Sequence, residues 1–202
     1  NMGENPLGFN KEIIKKLRLY EKLLINWQRK FNLVSNNSMR DLWNRHIIDS
    51  AQLLSLLPKE KKNKITYDIG SGAGFPGIVL AILGRKDIVL CESNTKKCLF
   101  LKEVSRDLQL DVIIDNIRAE SLPKRSGCVV LARAVAPLEK LISISFPILE
   151  AGGIAIFPKG KSWNKELRLA QRTFLLEFDL VKSITSELSY IFVIKKVEKK
   201  IG

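Results

Sequence analysis

The sequence contains few of the residues that build disulfide frameworks and metal sites, with three cysteines and one histidine among 202 residues. Cys91, Cys98 and Cys128 form no CxxC pair, and their odd number argues against a disulfide framework. A single histidine excludes a histidine-rich metal site. No apolar run approaches the roughly 20 residues that a membrane helix needs, and residues 1–10 show no apolar signal segment. These absences predict a reduced, cytoplasmic protein that holds no metal and does not enter a membrane.

Acidic residues are also scarce relative to basic ones, which gives a formal net charge of +13. The excess lies at the two ends of the chain, +7 over residues 1–64 and +5 over residues 158–202, whereas residues 65–157 carry only +1. Such flanks favour a polyanionic partner such as nucleic acid, although basic surfaces also serve solubility alone. The run 59–64 is interpreted as a solvated connector rather than an RNA contact.

The N-terminal third has the periodicity of helices. Apolar residues from Ile13 to Phe31 recur at spacings of three and four, which predicts one amphipathic helix. The polar turn 35–38 offers an N-cap for a second helix, which continues to Leu57 and stops at Pro58. We therefore predict an N-terminal helical extension over residues 1–64, followed by a second domain over residues 65–202.

From residue 65 onward, short apolar runs alternate with helical patterns. The predicted strands are 65–69, 88–92, 112–115, 128–132, 154–157, 180–184 and 190–195, and the predicted helices between them are 77–83, 96–108, 137–149 and 162–177. Strand–helix alternation predicts an α/β fold with a doubly wound, mostly parallel sheet. Because only residues 185–189 separate the last two strands, the final strand must run antiparallel.

A glycine-rich turn follows the first of these strands and leads into a helix. Gly72, Gly74 and Gly77 match GxGxxG, a pattern that by itself suggests a nicotinamide or flavin dinucleotide. Pro76 suits the first turn of the following helix, where an N–H has no helical partner. The turn therefore predicts a cofactor site, with the identity of the cofactor still open.

A second register of the same turn favours S-adenosylmethionine. Asp68, Gly70, Gly72 and Gly74 match the pattern DxGxGxG, with the acidic residue at the strand end. A carboxylate there repels a pyrophosphate and attracts a cationic sulfonium or ammonium group. Glu92 ends the next strand, where a carboxylate accepts from a ribose diol. A Rossmann-like, S-adenosylmethionine-dependent methyltransferase sheet with an antiparallel last strand is thus the favoured interpretation, and an NAD-dependent oxidoreductase is the alternative.

Several further segments give a more specific resemblance. They are Trp27–Ser35, Trp43–Ser50, the loop from Asp68 to Gly77, Glu92-Ser93, Lys97 with Phe100-Leu101, Arg118–Glu120, Arg133–Leu138 and Lys159-Gly160. In these segments the chain resembles the bacterial 16S ribosomal RNA guanine-N7 methyltransferases, also known as glucose-inhibited division protein B. The segments Arg45–Ser50 and Arg133–Leu138 are the family-specific part. The resemblance implies methyl transfer from S-adenosylmethionine to N7 of one guanine in the decoding region of 16S rRNA in the small ribosomal subunit.

The resemblance also implies roles for particular residues around the cofactor. The implied cofactor contacts are Gly70 and Gly72 as the backbone bed, Phe75 at the cofactor edge, Glu92 at the ribose, Ala119 and Glu120 at the adenine, and Arg133 near the methionine carboxylate. Asp68 joins this set from the glycine-loop pattern. No general base is expected, because guanine N7 has a free lone pair, so catalysis rests on positioning and desolvation.

Residues expected on the RNA side are Arg40, Arg45, His46 and Lys159. His46 is interpreted mainly as a packing or hydrogen-bonding residue near the cofactor loop, and the arginines either bind phosphate or face solvent. The chain departs from the family pattern at Gly127-Cys128 and at Ser189-Tyr190, and the second departure concerns an RNA contact. A monomer is expected. A methyltransferase acting on another RNA and a catalytically silent RNA-binding protein remain as alternatives.

Overall fold

The computed structural model describes residues 5–201, so four of the ten N-terminal residues considered above lie outside it. Its helices are α1 (Lys11–Gln28), α2 (Asp49–Ala51), α3 (Gly77–Ile82), α4 (Thr95–Asp107), α5 (Leu138–Ser145) and α6 (Trp163–Thr173). Its strands are β1 (Thr66–Ile69), β2 (Ile88–Cys91), β3 (Ile113–Asp115), β4 (Gly127–Leu131), β5 (Leu149–Lys159), β6 (Phe174–Lys182) and β7 (Tyr190–Lys199).

The seven strands form one sheet in the order β3-β2-β1-β4-β5-β7-β6. The first five strands pair in parallel, whereas β7 runs antiparallel to both β5 and β6. The predicted fold class and the antiparallel last strand are confirmed. The strand order reverses between β1 and β4, so ligands are expected at the carboxyl ends of these strands.

Helices cover both faces of the sheet, and each face has its own buried cluster. On one face, Leu17, Tyr20 and Leu24 of α1 pack with Ile78 of α3 and Phe100 of α4. On the other face, α5 and α6 pack against apolar residues of β1, β4, β5 and β7. The N-terminal helices therefore share a core with the sheet, while the domain boundary at residue 64 remains a prediction.

The second N-terminal helix is not the single α-helix that the sequence predicts. Residues 38–56 consist of a 3-10 turn (Ser38–Asp41), a π-helical stretch (Trp43–Ile48), the single turn of α2, and a second 3-10 stretch (Gln52–Leu56). We refer to residues 38–56 as the cap segment. The helix is thus confirmed, but its type could not be predicted, because an apolar pattern with spacings of three and four does not distinguish α from wider or tighter turns.

Several other boundaries also differ from those predicted. The first helix ends at Gln28 rather than Phe31, α5 ends at Ser145, and β5 starts at Leu149. Helix α6 ends at Thr173, because Phe174, Leu176, Phe178 and Leu180 alternate with more exposed neighbours and extend β6 toward the N-terminus. This period of two belongs to a strand, and it was missed since the charged residues around it suit a helix equally well.

No helix within residues 5–201 is long and apolar enough to cross a membrane. The same residues contain no group of three or more histidine, cysteine or carboxylate side chains that suits a metal ion.

Candidate active site at the carboxyl edge of the sheet

The glycine loop leaves β1 at the centre of the sheet and enters α3. Gly70 and Gly72 adopt positive φ angles of 63° and 58°, a region that L side chains rarely occupy. A Cβ atom at Gly70 would lie 2.7 Å from Cγ2 of Val135, a residue of the loop after β4. The two loops thus approach each other closely at the point where strand order reverses, and a glycine at position 70 permits this approach.

The side chain of Asp68 joins the end of β1 to the start of α3 and so holds this loop in place. Its side chain is fully buried, and its Oδ2 accepts from the backbone N–H of Gly77 at 2.9 Å. A side chain at Gly77 would collide with that oxygen, at 2.6 Å from the added Cβ, so the glycine permits the contact. Asp68 thus fixes where α3 begins relative to β1.

The second carboxylate oxygen of Asp68 makes the site electrostatically unusual. Oδ1 is buried and has no hydrogen-bond partner among the described residues. Burial raises the pKa of Asp68 to about 7, although the Gly77 N–H, Ser71 and the positive charge of Arg133 oppose this rise. A buried acceptor without a donor is costly, so the position favours a ligand that brings a cation or a donor.

Glu92 connects the end of β2 to the same loop. Its Oε1 accepts from the N–H of Gly72 at 2.9 Å, and its Oε2 accepts from the N–H of Asn94 at 2.7 Å. Asn94 in turn caps α4 by accepting from the N–H of Lys97 at 3.1 Å. Each carboxylate oxygen has a second lone pair, so Glu92 keeps the capacity to accept from a hydroxyl.

Aromatic side chains close the loop on the side of the N-terminal helices. The Tyr20 hydroxyl donates to the carbonyl oxygen of Ala73, and the Tyr20 ring lies 5.3 Å from that of Phe75. The ring of Phe75 also stacks on the ring of His46 of the cap segment, with ring centroids 4.7 Å apart and an interplanar angle of 22°. Phe75 is buried, so it packs beneath the loop between α1 and the cap segment.

Arg133 joins the end of β4 to the cap segment. Its Nη1 lies 3.0 Å from Asp49 Oδ2 and donates to the carbonyl oxygen of Arg45 at 3.0 Å. Its Nη2 donates to Nδ1 of His46, and the guanidinium lies 5.3 Å from the centre of the Phe75 ring. The implied contact with a methionine carboxylate remains a prediction, and the structure shows that most of the guanidinium donors serve the cap segment.

His46 is held in its neutral form by these contacts. Burial, together with the positive charges of Arg133 and Arg45, lowers its pKa to about 3. Because a guanidinium only donates, Nδ1 is the acceptor and the ring proton is on Nε2. Nε2 is buried and lacks a partner within residues 5–201. The interpretation of His46 as a packing and hydrogen-bonding residue agrees with this geometry.

Lys159 lies at the end of β5 and is 7% exposed. Its ammonium group donates to the carbonyl oxygen of Ala136 at 2.6 Å and pairs with Glu166 Oε1 at 2.9 Å. Glu166 also accepts from the N–H of Leu138, the first residue of α5. Lys159 therefore orders the loop between β4 and α5, and an RNA contact by its side chain requires the pair with Glu166 to open.

A polar cavity of about 640 Å³ is bounded by the cap segment, the loop after β4, the end of β5 and the turn between β6 and β7. We call it the cleft. Arg45 is exposed on its wall and donates to the carbonyl oxygen of Asn37 at 3.2 Å. Arg40 is also exposed but is not among the residues that line the cleft. Of the four residues expected on the RNA side, Arg45, His46 and Lys159 are brought together here.

The expected adenine contacts lie on the opposite side of the loop. Ala119 and Glu120 form a short 3-10 turn after β3, and Glu120 is exposed. The departure at Gly127 has a packing explanation, since a Cβ atom there would lie 2.7 Å from the ring of Tyr67. Ser189 lines the cleft and its carbonyl oxygen accepts from the N–H of Ser183 at 3.0 Å.

Sequence reasoning missed the partners that fix these residues. Asp49, Gln52 and Thr185 form a hydrogen-bonded group on the cleft, although more than 130 positions separate the first two from the third. Ala134 adopts a positive φ of 54° in the loop between β4 and α5, a strained conformation of the kind found at functional sites. Only the spacing of His46 and Asp49 on one helical face hinted at this cluster.

Solved structures with a similar fold include proteins in complex with AdoMet and proteins named as methyltransferases, all at low sequence identity. The TYW2 protein of M. jannaschii in complex with AdoMet has a TM-score of 0.55 and 17% identity, covering 76% of each chain. Geranyl diphosphate C-methyltransferase from Streptomyces coelicolor has a TM-score of 0.56 and 13% identity, covering 72% of this chain and 76% of the other. These similarities show the fold alone.

Sequence relatives are much closer. The ribosomal RNA small subunit methyltransferase G of Paramagnetospirillum magneticum is 38% identical over 192 residues, 95% of this chain and 93% of the relative. The protein of the same name from Rhodospirillum rubrum is 38% identical over 190 residues, 94% of each. The model of the GidB family, rRNA small subunit methyltransferase G, matches residues 13–189. With most of its length matched, the chain belongs to the rRNA small subunit methyltransferase G family.

Proposed function

We propose that this protein transfers the methyl group of S-adenosylmethionine to N7 of a guanine in 16S rRNA of the small ribosomal subunit. The observation that carries the proposal is the glycine loop after β1, with the carboxylates of Asp68 and Glu92 bound to its backbone, at the point where strand order reverses in a chain of this family. The basic flanks of the sequence support an RNA substrate.

The residues of the loop fit the cofactor. Oδ1 of Asp68 is a buried acceptor without a donor, and the cofactor carries an ammonium group and a sulfonium. Glu92 retains acceptor capacity for the two ribose hydroxyls. Gly72 presents backbone with no side chain against it, as a close approach to a ligand requires. S-adenosylmethionine supplies an electrophilic methyl group when bound.

Methylation at guanine N7 needs no general base among the side chains around the cleft. Guanine N7 carries an in-plane lone pair and no proton at neutral pH, so no group has to remove a proton before the attack. His46, the one histidine, is neutral with its Nδ1 bound to Arg133, which supports a role in holding the loop rather than in proton transfer. We infer that the protein acts by orienting the base and excluding water.

A transfer assay with labelled cofactor tests this proposal. Small ribosomal subunits that lack the modification are incubated with the protein and S-adenosylmethionine carrying a labelled methyl group, with large subunits and transfer RNA in parallel. We expect label in 16S rRNA alone. Label in another RNA would show that the substrate is not 16S rRNA. A protein that binds the cofactor and RNA but transfers no label would be a catalytically silent RNA-binding protein.

The matched variant is Gly72→Val. A β-branched residue is strained at a φ of 58°, yet the nearest atom to an added Cβ is 3.8 Å away, so the substitution distorts the loop without a steric clash at Cβ. It should abolish cofactor binding and transfer while RNA affinity stays near that of the wild type.

A further inference from the structure

One carboxylate ties together three of the segments that bound the cleft. Asp49 belongs to the cap segment, and its side chain is 19% exposed. Its Oδ2 pairs with Nη1 of Arg133, which follows β4, at 3.0 Å. Its Oδ1 accepts from the hydroxyl of Thr185, in the turn between β6 and β7, at 2.7 Å. The cap segment, the loop after β4 and this turn therefore meet at Asp49.

Gln52 strengthens the same junction from the next helical turn. Its Nε2 donates to Asp49 Oδ1 at 3.0 Å and to the hydroxyl oxygen of Ser183 at 3.1 Å. Its Oε1 accepts from the backbone N–H of Ile184 at 3.0 Å. The Ser183 and Thr185 hydroxyls lie 2.9 Å apart, so residues 183–185 are held by a continuous set of hydrogen bonds.

Apolar packing contributes little to the position of this turn. Ile184 is 56% exposed and Leu188 is 64% exposed. The turn is nevertheless part of the cleft wall, through Ser183, Thr185, Ser186 and Ser189. The position of this turn must therefore depend on its polar contacts with Asp49 and Gln52, because the turn buries little apolar area.

We propose that Asp49 and Thr185 are positioning residues that hold the β6–β7 turn against the cap segment and so shape the RNA-facing wall of the cleft. A carboxylate suits this place because it accepts from Arg133, Thr185 and Gln52 at once, which an amide at the same position cannot do. The inference rests on the proposed function, since it concerns how the same cleft receives RNA.

Thr185→Val tests the proposal by removing the hydroxyl while keeping the shape of the side chain. We expect the KM for small ribosomal subunits to rise about tenfold, with kcat and the Kd of the cofactor within about twofold of the wild type. Thr185→Ser restores the hydroxyl and should restore the KM. The matched control is Thr173→Val, which also deletes a hydroxyl, one that donates to Glu139 at 2.6 Å outside the cleft, and which should leave the KM unchanged.

Asp49→Asn provides an independent variant. Because Thr185 acts through this carboxylate, adding Thr185→Val to Asp49→Asn should raise the KM by much less than it does in the wild type. Equal effects in both backgrounds would overturn the proposal. So would a Thr185→Val protein that loses thermal stability but keeps its KM, since that is the behaviour of a purely structural contact.

A measurement without RNA separates this inference from the proposed function. Amide hydrogen exchange of Ile184, whose N–H is bound to Gln52, should be faster in Thr185→Val than in the wild type and in Thr173→Val. If the wild-type protein transfers no methyl group to subunits, the proposed function fails while this result still supports the junction. Unchanged exchange at Ile184 would overturn the inference whatever the transfer assay shows.

Discussion

Removing the charge of Asp68 should change how the stability of the protein depends on pH. Burial raises the pKa of this carboxyl from an ordinary 3.8 to about 7 in the folded protein. The unfolded chain loses the proton near pH 4 and the folded protein near pH 7. Between these values the folded state binds more protons, so its stability falls as pH rises, and above pH 7 the loss is complete.

The size of the effect follows from the two pKa values. Linkage predicts that this one group lowers the free energy of unfolding by about 2–3 kcal/mol between pH 5 and pH 8. In Asp68→Asn the amide oxygen still accepts from Gly77, and the titration is gone. Between pH 5 and pH 8 the free energy of unfolding should therefore fall by about 2–3 kcal/mol more in the wild type than in the variant. Any pH-independent effect of the amide on stability cancels in this comparison.

Urea unfolding of the wild type and of Asp68→Asn, each at pH 5 and at pH 8, gives the change in the free energy of unfolding for both proteins. Asp111→Asn removes an exposed carboxylate and serves as the control, with the pH dependence of the wild type. The same variant of Asp68 should bind S-adenosylmethionine more weakly, because the neutral amide attracts a cation less. A pH dependence that is identical in the wild type and Asp68→Asn would refute the account of this carboxylate as buried, unpaired and hard to ionise.

Three other substitutions give separate outcomes. Gly70→Ala should lower stability by about 1–2 kcal/mol and weaken cofactor binding, because φ is 63° and Val135 stands in the way, as thermal unfolding and titration would show. Arg45→Ala should weaken RNA binding and reduce the slope of log affinity against log salt by about 1, measured by filter binding across salt concentrations. Lys159→Met should cost about 2–4 kcal/mol in urea unfolding, since Glu166 loses its buried partner.

Each of these has a result that contradicts it. A Gly70→Ala protein with wild-type stability and cofactor affinity would mean that the positive φ is not maintained. Unchanged RNA affinity and salt slope in Arg45→Ala would remove this arginine from the RNA interface, and Lys140→Ala, an exposed lysine on α5, is its control. Wild-type stability in Lys159→Met would show that the pair with Glu166 contributes nothing.

The sheet and the cofactor loop could be predicted from the sequence because both depend on local signals. Alternating strands and helices define a doubly wound sheet, and the short connection between the last two strands forces them to be antiparallel. Asp68 and Glu92 could be placed because each ends a strand that neighbours the other. Their contacts with the N–H groups of Gly72 and Gly77 were not predicted, because they depend on the path of the loop after β1.

The remainder of the site depends on contacts between distant parts of the chain. Arg133 was expected to face the cofactor, yet the structure gives most of its donors to Asp49, His46 and the backbone of the cap segment. Lys159 is expected on the RNA side, and it lines the cleft while its ammonium group is paired with Glu166. A basic residue near a ligand edge has the same sequence signal whether it meets a ligand or a buried carboxylate.

The central claim, methylation at N7 of guanine, is tested most directly by chemical cleavage of the product. Small-subunit RNA methylated by the protein is reduced and treated with aniline, which cuts the chain at N7-methylguanosine. We expect one new cut in 16S rRNA that is absent when Gly72→Val replaces the wild type. Methyl label in the RNA without a new cut would contradict the claim, because it would place the methyl group on another atom.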